Sequence, residues 1–203
     1  MSTVRELFER CRNTEWSEPN AYAVQWSVEL QGDTAFLFVR ETSGLDSWLR
    51  VNCRFAPSGA DVHRGFARAW RSIRDDVYAE LDGATRVVAA GFSKGGGVLQ
   101  AAHVELSERY DVETTVFGAP RVWTWLGWWR NRDAFSNLTR VYVRGDAVTK
   151  LPPLVLGFRH VGRGRGLGVL GLIFAPIAGP LALVWRAAFH HPKRYERLLR
   201  NRE

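Results

Sequence analysis

Arg86-Val-Val-Ala-Ala-Gly-Phe-Ser-Lys-Gly-Gly-Gly97 is the stretch that decides the fold. Val87 to Ala90 is a short apolar run, bounded by charge on one side and glycine on the other. That pattern predicts a strand buried on both faces, as in a parallel sheet. Gly91-Phe92-Ser93-Lys94-Gly95 follows and reads G-x-S-x-G. Val98 to Tyr110, rich in Ala, Leu and Glu, predicts a helix. A serine on so tight a strand-to-helix turn is forced outward, with its Oγ exposed. The flanking glycines are required because a Cβ there would collide with the neighbouring strand and helix. The N–H of Lys94 then points, with the helix N-terminus, at a place where negative charge can develop. A glycine-rich packing turn is the plainer reading. The strand–turn–helix context favours a nucleophile at Ser93.

Outward from this unit the chain alternates strand and helix signals. Val4, Leu7, Phe8 and Cys11 fall at helical spacing and predict an amphipathic helix from about Thr3 to Arg12. Tyr22, Val24, Trp26, Val28 and Leu30 alternate with less apolar residues, which predicts a half-buried strand. Gln31 to Thr34 turns the chain into a second strand, Ala35 to Val39, making a hairpin. Leu45 to Leu49 reads as a helical turn and Val51 to Phe55 as a third, edge strand. Phe66, Trp70, Ile73, Val77 and Leu81 recur as one helix face, stopped by Asp82-Gly83. Val112 to Phe117 is the next strand and delivers Gly118 to Arg121 to the same sheet edge as Ser93. Val141 to Arg144 is another, and Phe158 to Val161 the last. The order predicts an α/β fold with a mostly parallel sheet, in one domain spanning residues 1–203.

Composition narrows the partners. The formal net charge is +7, from 28 Lys and Arg against 21 Asp and Glu. A basic surface suits nucleic acid or anionic headgroups. Nine tryptophans favour the lipid interface over nucleic acid, because indole sits where apolar meets wet. Cys11 and Cys53 give no disulfide framework and are expected reduced, in a cytoplasmic setting. The charged segment Met1 to Arg10 lacks an apolar signal core, so no Sec-type export is expected.

The motifs together resemble the class 3 (fungal-type) lipases of the α/β-hydrolase fold. The resemblance covers roughly Val24 to Tyr195. Val62-His-Arg-Gly-Phe66 is similar to the family's V-H-x-G-F. Gly91 to Gly96 is similar to its elbow G-H-S-L-G-G. Val116-Phe-Gly-Ala-Pro-Arg-Val122 is similar to T-F-G-x-P-R-V. Arg140 to Asp146, followed by Val148 and Leu151-Pro-Pro153, resembles the segment carrying the family's acid. The order and spacing of these motifs make the match specific. It implies ester hydrolysis through Ser93, with an acid and a base following in the order Asp, His.

Asp146 stands at the acid position, just past a strand end; Asp111 and Asp133 are weaker candidates. Its role would be to accept the imidazole N–H and hold the tautomer of the base. His63 and His103 precede the acid, and His160 corresponds to a structural strand histidine of the family. His190 and His191 remain. The family's base stands a few residues before a tyrosine in the last helix. His190 with Tyr195 fits that spacing, with His191 as the alternative base. Arg40-Glu41-Thr42 occupies the place of the family's R-G-S/T, which makes Thr42 the second oxyanion donor beside the Lys94 N–H. Glu41 departs from the usual glycine, as Phe92 and Lys94 depart from the common His and Leu. The Lys94 side chain either meets an anionic substrate group or extends into water, the latter being favoured.

Leu167 to Trp185 contains no charged residue and has the length of a membrane span. A single span would put His190 across the bilayer from Ser93. Pro176 and Gly179-Pro180 interrupt it. We read residues 167–189 as two apolar arms, a hairpin that covers the site or dips into a leaflet; a buried core hairpin is the plainer alternative. Trp123, Trp125, Trp128 and Trp129 form a second apolar cluster, either core or an interfacial anchor. The expectation is a lipid-ester hydrolase with a Ser93–Asp146–His190 triad, no metal or organic cofactor, and an anionic membrane or lipid interface as partner, without nucleic acid. An inactive membrane-associated protein of the same fold, a single-span membrane protein, and a thioesterase or acyltransferase are the competing readings.

Overall fold

A computed structural model describes residues 3–41, 57–58, 61–168 and 190–201 of the chain. The first helix, α1 (Val4–Asn13), starts at a capping box in which Thr3 and Glu6 satisfy each other's backbone N–H groups. Strands β1 (Val24–Gln31) and β2 (Thr34–Glu41) form the antiparallel hairpin. Short strands β3 (Pro57–Ser58) and β4 (Val62–His63) lead into helices α2 (Arg64–Arg71) and α3 (Arg74–Glu80). Next come β5 (Arg86–Phe92), α4 (Lys94–Ser107) and β6 (Asp111–Phe117). Then follow β7 (Trp123–Thr124), α5 (Trp125–Arg130), β8 (Leu138–Val143), β9 (Phe158–Arg159), β10 (Arg163–Leu167) and α6 (Pro192–Arg200).

The main sheet has the order β1-β2-β5-β6-β8-β10 and is parallel from β2 onward. A small antiparallel sheet, β3-β4-β7-β9, carries the connections. The central strands are buried on both faces, which explains their unbroken apolar runs. Along β2, Ala35, Leu37 and Val39 join the core beneath α2, α3 and α4, while Phe36 and Phe38 face α1 and α6. Val87 and Ala89 of β5 join the first cluster, and Val88 and Ala90 the second.

Three elements differ from the sequence reading. Phe66 to Leu81 is two helices, broken where Ser72 donates its hydroxyl back to the Ala69 carbonyl; the five apolar residues remain buried. Phe158–Arg159 belongs to the small sheet, and the outer strand of the main sheet is Arg163-Gly-Arg-Gly-Leu167. Its glycines make room for side chains of β8 and of the residue after it: a Cβ at Gly164 would lie 3.1 Å from an Arg140 guanidinium nitrogen, and one at Gly166 3.2 Å from Arg144 Nε. An edge strand built this way shows no apolar alternation. Leu167, read as the start of an apolar arm, is the buried end of this strand. The helical turn read at Leu45 to Leu49, the strand at Val51 to Phe55 and the apolar hairpin beyond Gly168 lie outside the described residues. No described helix is long and apolar enough to cross a membrane.

Two histidines are structural. His103 is buried; its Nε2–H donates to Ala134 O at 2.8 Å and its Nδ1 sits 2.9 Å from Thr114 Oγ1, stapling α4 to β6. Burial lowers its pKa. His160 is half-buried, and burial, reinforced by the positive Arg140 and Arg121, pushes it down to about 3. The unfolded chain therefore binds protons below about pH 6.5 that the native protein excludes, so stability falls as pH drops from there toward 3. Solvent screens part of the His160 effect. Urea unfolding is expected to lose about 1–2 kcal/mol to His160 between pH 7 and pH 5, and His160→Gln should flatten that slope.

Candidate active site

Ser93 joins β5 to α4 with φ 55° and ψ −120°, a conformation that a non-glycine residue holds only under constraint. Its N–H donates to Phe117 O at 2.8 Å, tying the turn to β6. The turn leaves no room for side chains around it. A Cβ at Gly91 would lie 2.8 Å from the Gly95 carbonyl carbon and the Gly96 nitrogen. One at Gly95 would lie 2.1 Å from the Val39 carbonyl oxygen of β2. The serine thus stands at the carboxyl ends of β2, β5 and β6, where a parallel sheet offers its ligand crevice.

His190 and Asp146 meet it there. His190 Nε2 is 2.8 Å from Ser93 Oγ, and His190 Nδ1 is 2.8 Å from Asp146 Oδ2. A carboxylate oxygen accepts, so Nδ1 carries the proton and Nε2 is free to accept the serine O–H. Asp146 follows the turn at Gly145 after β8 and is fully buried. Its Oδ1 accepts from Val148 N at 2.9 Å, and its Oδ2 also accepts from the Tyr195 hydroxyl at 2.6 Å. The same hydroxyl accepts from Val143 N at 3.1 Å. Burial, with the negative Asp146 beside it, raises the Tyr195 pKa well above its ordinary value, so the phenol stays a donor.

Apolar contacts fix the imidazole plane. Phe92 stacks on His190 at 5.0 Å between ring centroids and meets Tyr195 edge-on at 5.4 Å. Gly118, at φ 57°, clears the space beneath: a Cβ there would come 2.9 Å from the Tyr195 hydroxyl and 3.1 Å from His190 Cε1. Neither role was read from the sequence. The adjacency of Phe92 to the serine and of Gly118 to a strand end are the signals that carry them.

Of the sequence-assigned residues, Ser93, Asp146 and His190 come together. His191 does not; it caps α6, accepting from Lys193 N at 3.3 Å, ahead of Pro192 in the first turn. Asp111 and Asp133 are exposed, and His63 is a buried cap of α2 that accepts from Gly65 N. Lys94 is the first residue of α4, where N–H groups lack helical acceptors. Its side chain does not reach into water. It is buried, with Nζ donating to Tyr22 O at 2.9 Å. That carbonyl is presented by the turn at Ala23, whose φ is 54°. Thr42 lies outside the described residues. The tryptophan cluster divides: Trp123 is core, whereas Trp125 and Trp129 are exposed. No described group of His, Cys, Asp and Glu side chains could hold a metal.

The family model for Lipase (class 3) matches residues 36–156. The chain belongs to the class 3 lipase family. Over 118 residues it is 30% identical to a secreted mono- and diacylglycerol lipase of Fusarium solani, a match covering 51% of this chain and 33% of that protein. Its fold is similar to that of lipase II from Rhizopus niveus, with a TM-score of 0.60 at 21% identity, over 70% of this chain and 61% of the other. A triacylglycerol lipase described as having a serine protease triad matches with a TM-score of 0.63 at 21% identity, over 76% of this chain and 66% of the other. The fold is that of the α/β-hydrolases. The chain spans about a third of the curated relative and less than two thirds of these structures.

Two substitutions test the geometry. Gly95→Ala drives a methyl into backbone on β2 and is expected to lower stability by about 2–3 kcal/mol or to prevent folding, read by urea denaturation. Tyr195→Phe leaves the buried Val143 N–H without its acceptor and is expected to cost about 1–3 kcal/mol by the same measurement.

Proposed function

We propose that this protein is a serine hydrolase acting on carboxylic esters of lipids through an acyl-enzyme. The chain of 2.8 Å hydrogen bonds from Ser93 through His190 to Asp146 is the observation that carries the reading. Ser93 Oγ attacks the ester carbonyl while His190 Nε2 takes its proton. The tetrahedral oxyanion is met by the Lys94 N–H at the start of α4, and by Thr42 on the strength of the family resemblance alone. Collapse expels the alcohol, which receives the proton from His190. Water then enters, gives a proton to His190, and attacks the acyl-enzyme carbonyl. The fatty acid leaves and Ser93 recovers its proton. Asp146 remains an acceptor throughout, holding the imidazole and stabilising the imidazolium.

A lipid substrate is supported by family membership and by the basic, tryptophan-rich composition. We read the protein as one domain that works against an anionic lipid interface, in a cytoplasmic setting.

Purified protein should hydrolyse p-nitrophenyl esters and react with a fluorophosphonate probe. Ser93→Ala should abolish both, and Asp146→Asn should lower kcat/KM by about 10⁴-fold with the fold intact. Equal turnover by the wild type and Ser93→Ala would sink the mechanism. Preference for thioesters or acceptor alcohols over water would move the reading to a thioesterase or acyltransferase.

A further inference from the structure

Eight large apolar side chains are exposed among the described residues, and six of them belong to two neighbouring segments. Trp125, Leu126 and Trp129 lie on α5, exposed by 62%, 40% and 58%. Leu154, Val155 and Leu156 form a single 3-10 turn, exposed by 64%, 91% and 47%. The two segments are joined: Trp125 N donates to Gly157 O at 3.0 Å, and β7 pairs with β9 just below. A monomeric protein rarely leaves so many large apolar groups together in water.

The charge beside them is positive. The Arg159 guanidinium lies 3.7 Å from the Trp128 ring centroid and 4.4 Å from that of Trp125. Its Nε and Nη1 are buried there without a hydrogen-bond partner among the described residues. Lys150 is exposed one turn before the apolar tip. Asp61, whose backbone lies against Gly127 of α5, is paired with Arg130 at 3.1 Å, and the exposed Asp133 lies beside Arg132. The whole chain is divided in the same sense. Residues 138–203 hold 12 Lys and Arg against 3 Asp and Glu, whereas residues 1–137 hold 16 against 18.

We infer that α5 and the Leu154–Leu156 turn form a docking surface for anionic phospholipid bilayers. This rests on the proposed lipid-ester activity only for its purpose; the binding stands apart from catalysis. The indoles of Trp125 and Trp129 sit at headgroup depth, with Leu154 and Val155 reaching the acyl boundary. The exposed Lys150 meets the lipid phosphates, and Arg159 places positive charge behind the indoles. The surface is tied to the reacting groups. It begins directly after the segment 146–153, in which Thr149 Oγ1 bonds Asp146 O at 2.8 Å and Arg121 holds the Lys150 and Pro152 carbonyls. Arg121 itself ends the Gly118–Arg121 loop that leaves β6. Docking through this surface sets the crevice at a fixed attitude to the bilayer.

The test is sedimentation with vesicles of phosphatidylcholine alone or with about a third phosphatidylglycerol, using the Ser93→Ala protein so that lipid is not consumed. The expected result is binding to the anionic vesicles, weakened by salt, with a blue shift of tryptophan emission. Trp129→Ser with Val155→Asp should weaken it by about tenfold or more. Val155→Asp alone, at a side chain almost fully in water, should weaken it without disturbing the fold. With Ser93 restored, both variants should hydrolyse a soluble short-chain ester at the wild-type rate. Unchanged binding by the variants, or equal binding to neutral vesicles, would overturn the inference. So would a concentration-dependent dimer that Val155→Asp dissociates, since the patch would then serve a second copy. Failure of the ester assay in the wild type would sink the proposed activity and leave the vesicle result readable.

Discussion

The approach of α4 to β2 is the constraint on which the rest depends. At Gly95 the helix backbone touches the Val39 carbonyl so closely that no side chain fits between them. A helix starting this close to a strand must leave the preceding strand abruptly, and Ser93 absorbs the reversal in its left-handed φ. The strain is held by bonds on both sides: Ser93 N to Phe117 O, and Gly97 N to Ser93 O at 3.1 Å. The consequence is a hydroxyl that projects from the sheet edge instead of packing into it. A looser elbow would relieve the backbone and lose the direction of the oxygen.

The elbow alone supplies no base. His190 and Asp146 arrive from segments far along the chain, and Tyr195 is what keeps them in register. Its hydroxyl joins β8 at Val143 N to the Asp146 carboxylate, while its ring packs among Phe8 and Phe92. The first helix therefore supports the site from behind. Phe8 of α1 meets Phe117 at 4.9 Å, and Arg12 pairs with Glu196 of α6 at 2.8 Å. That surface ion pair adds little energy; the buried Leu199 and Tyr195, packed with Leu7, Phe8 and Cys11, hold α6 against α1 and the sheet.

Residues whose chemistry and neighbours in sequence agree were legible. Ser93 sits between an apolar run and a glycine-rich helix start, and both neighbours demand the same turn. Asp146 was legible because a strand ends just before it. The choice between His190 and His191 needed the resemblance, since adjacent residues on a turn carry no period. In the structure Pro192 starts α6 and makes His191 its cap, while His190 lies outside that helix, 2.8 Å from Ser93 Oγ. What escaped the reading was set by contacts distant in sequence. The glycines of β10 fit under Arg140, Tyr142 and Arg144, and nothing within Arg163 to Leu167 announces those neighbours. The break at Ser72 preserves the apolar period, so periodicity could not reveal it.

Phe92 and Lys94, where the family commonly carries His and Leu, are coupled departures. A lysine beside the start of a helix adds positive charge to the positive end of the dipole, an unfavourable local choice. The fold offsets it by burying the stem and delivering Nζ to the Tyr22 carbonyl, so the side chain spans from the elbow to the entry of β1. The ammonium thus meets a backbone carbonyl inside the protein, within reach of the first turn of α4. Phe92 acts on the opposite side. Its ring lies against His190 and joins the Phe8, Phe117 and Tyr195 cluster. The part-buried imidazole is held by that ring and by its two polar contacts, Ser93 and Asp146. The elbow of this chain is thus flanked by a buried lysine on one side of the serine and an aromatic ring on the other.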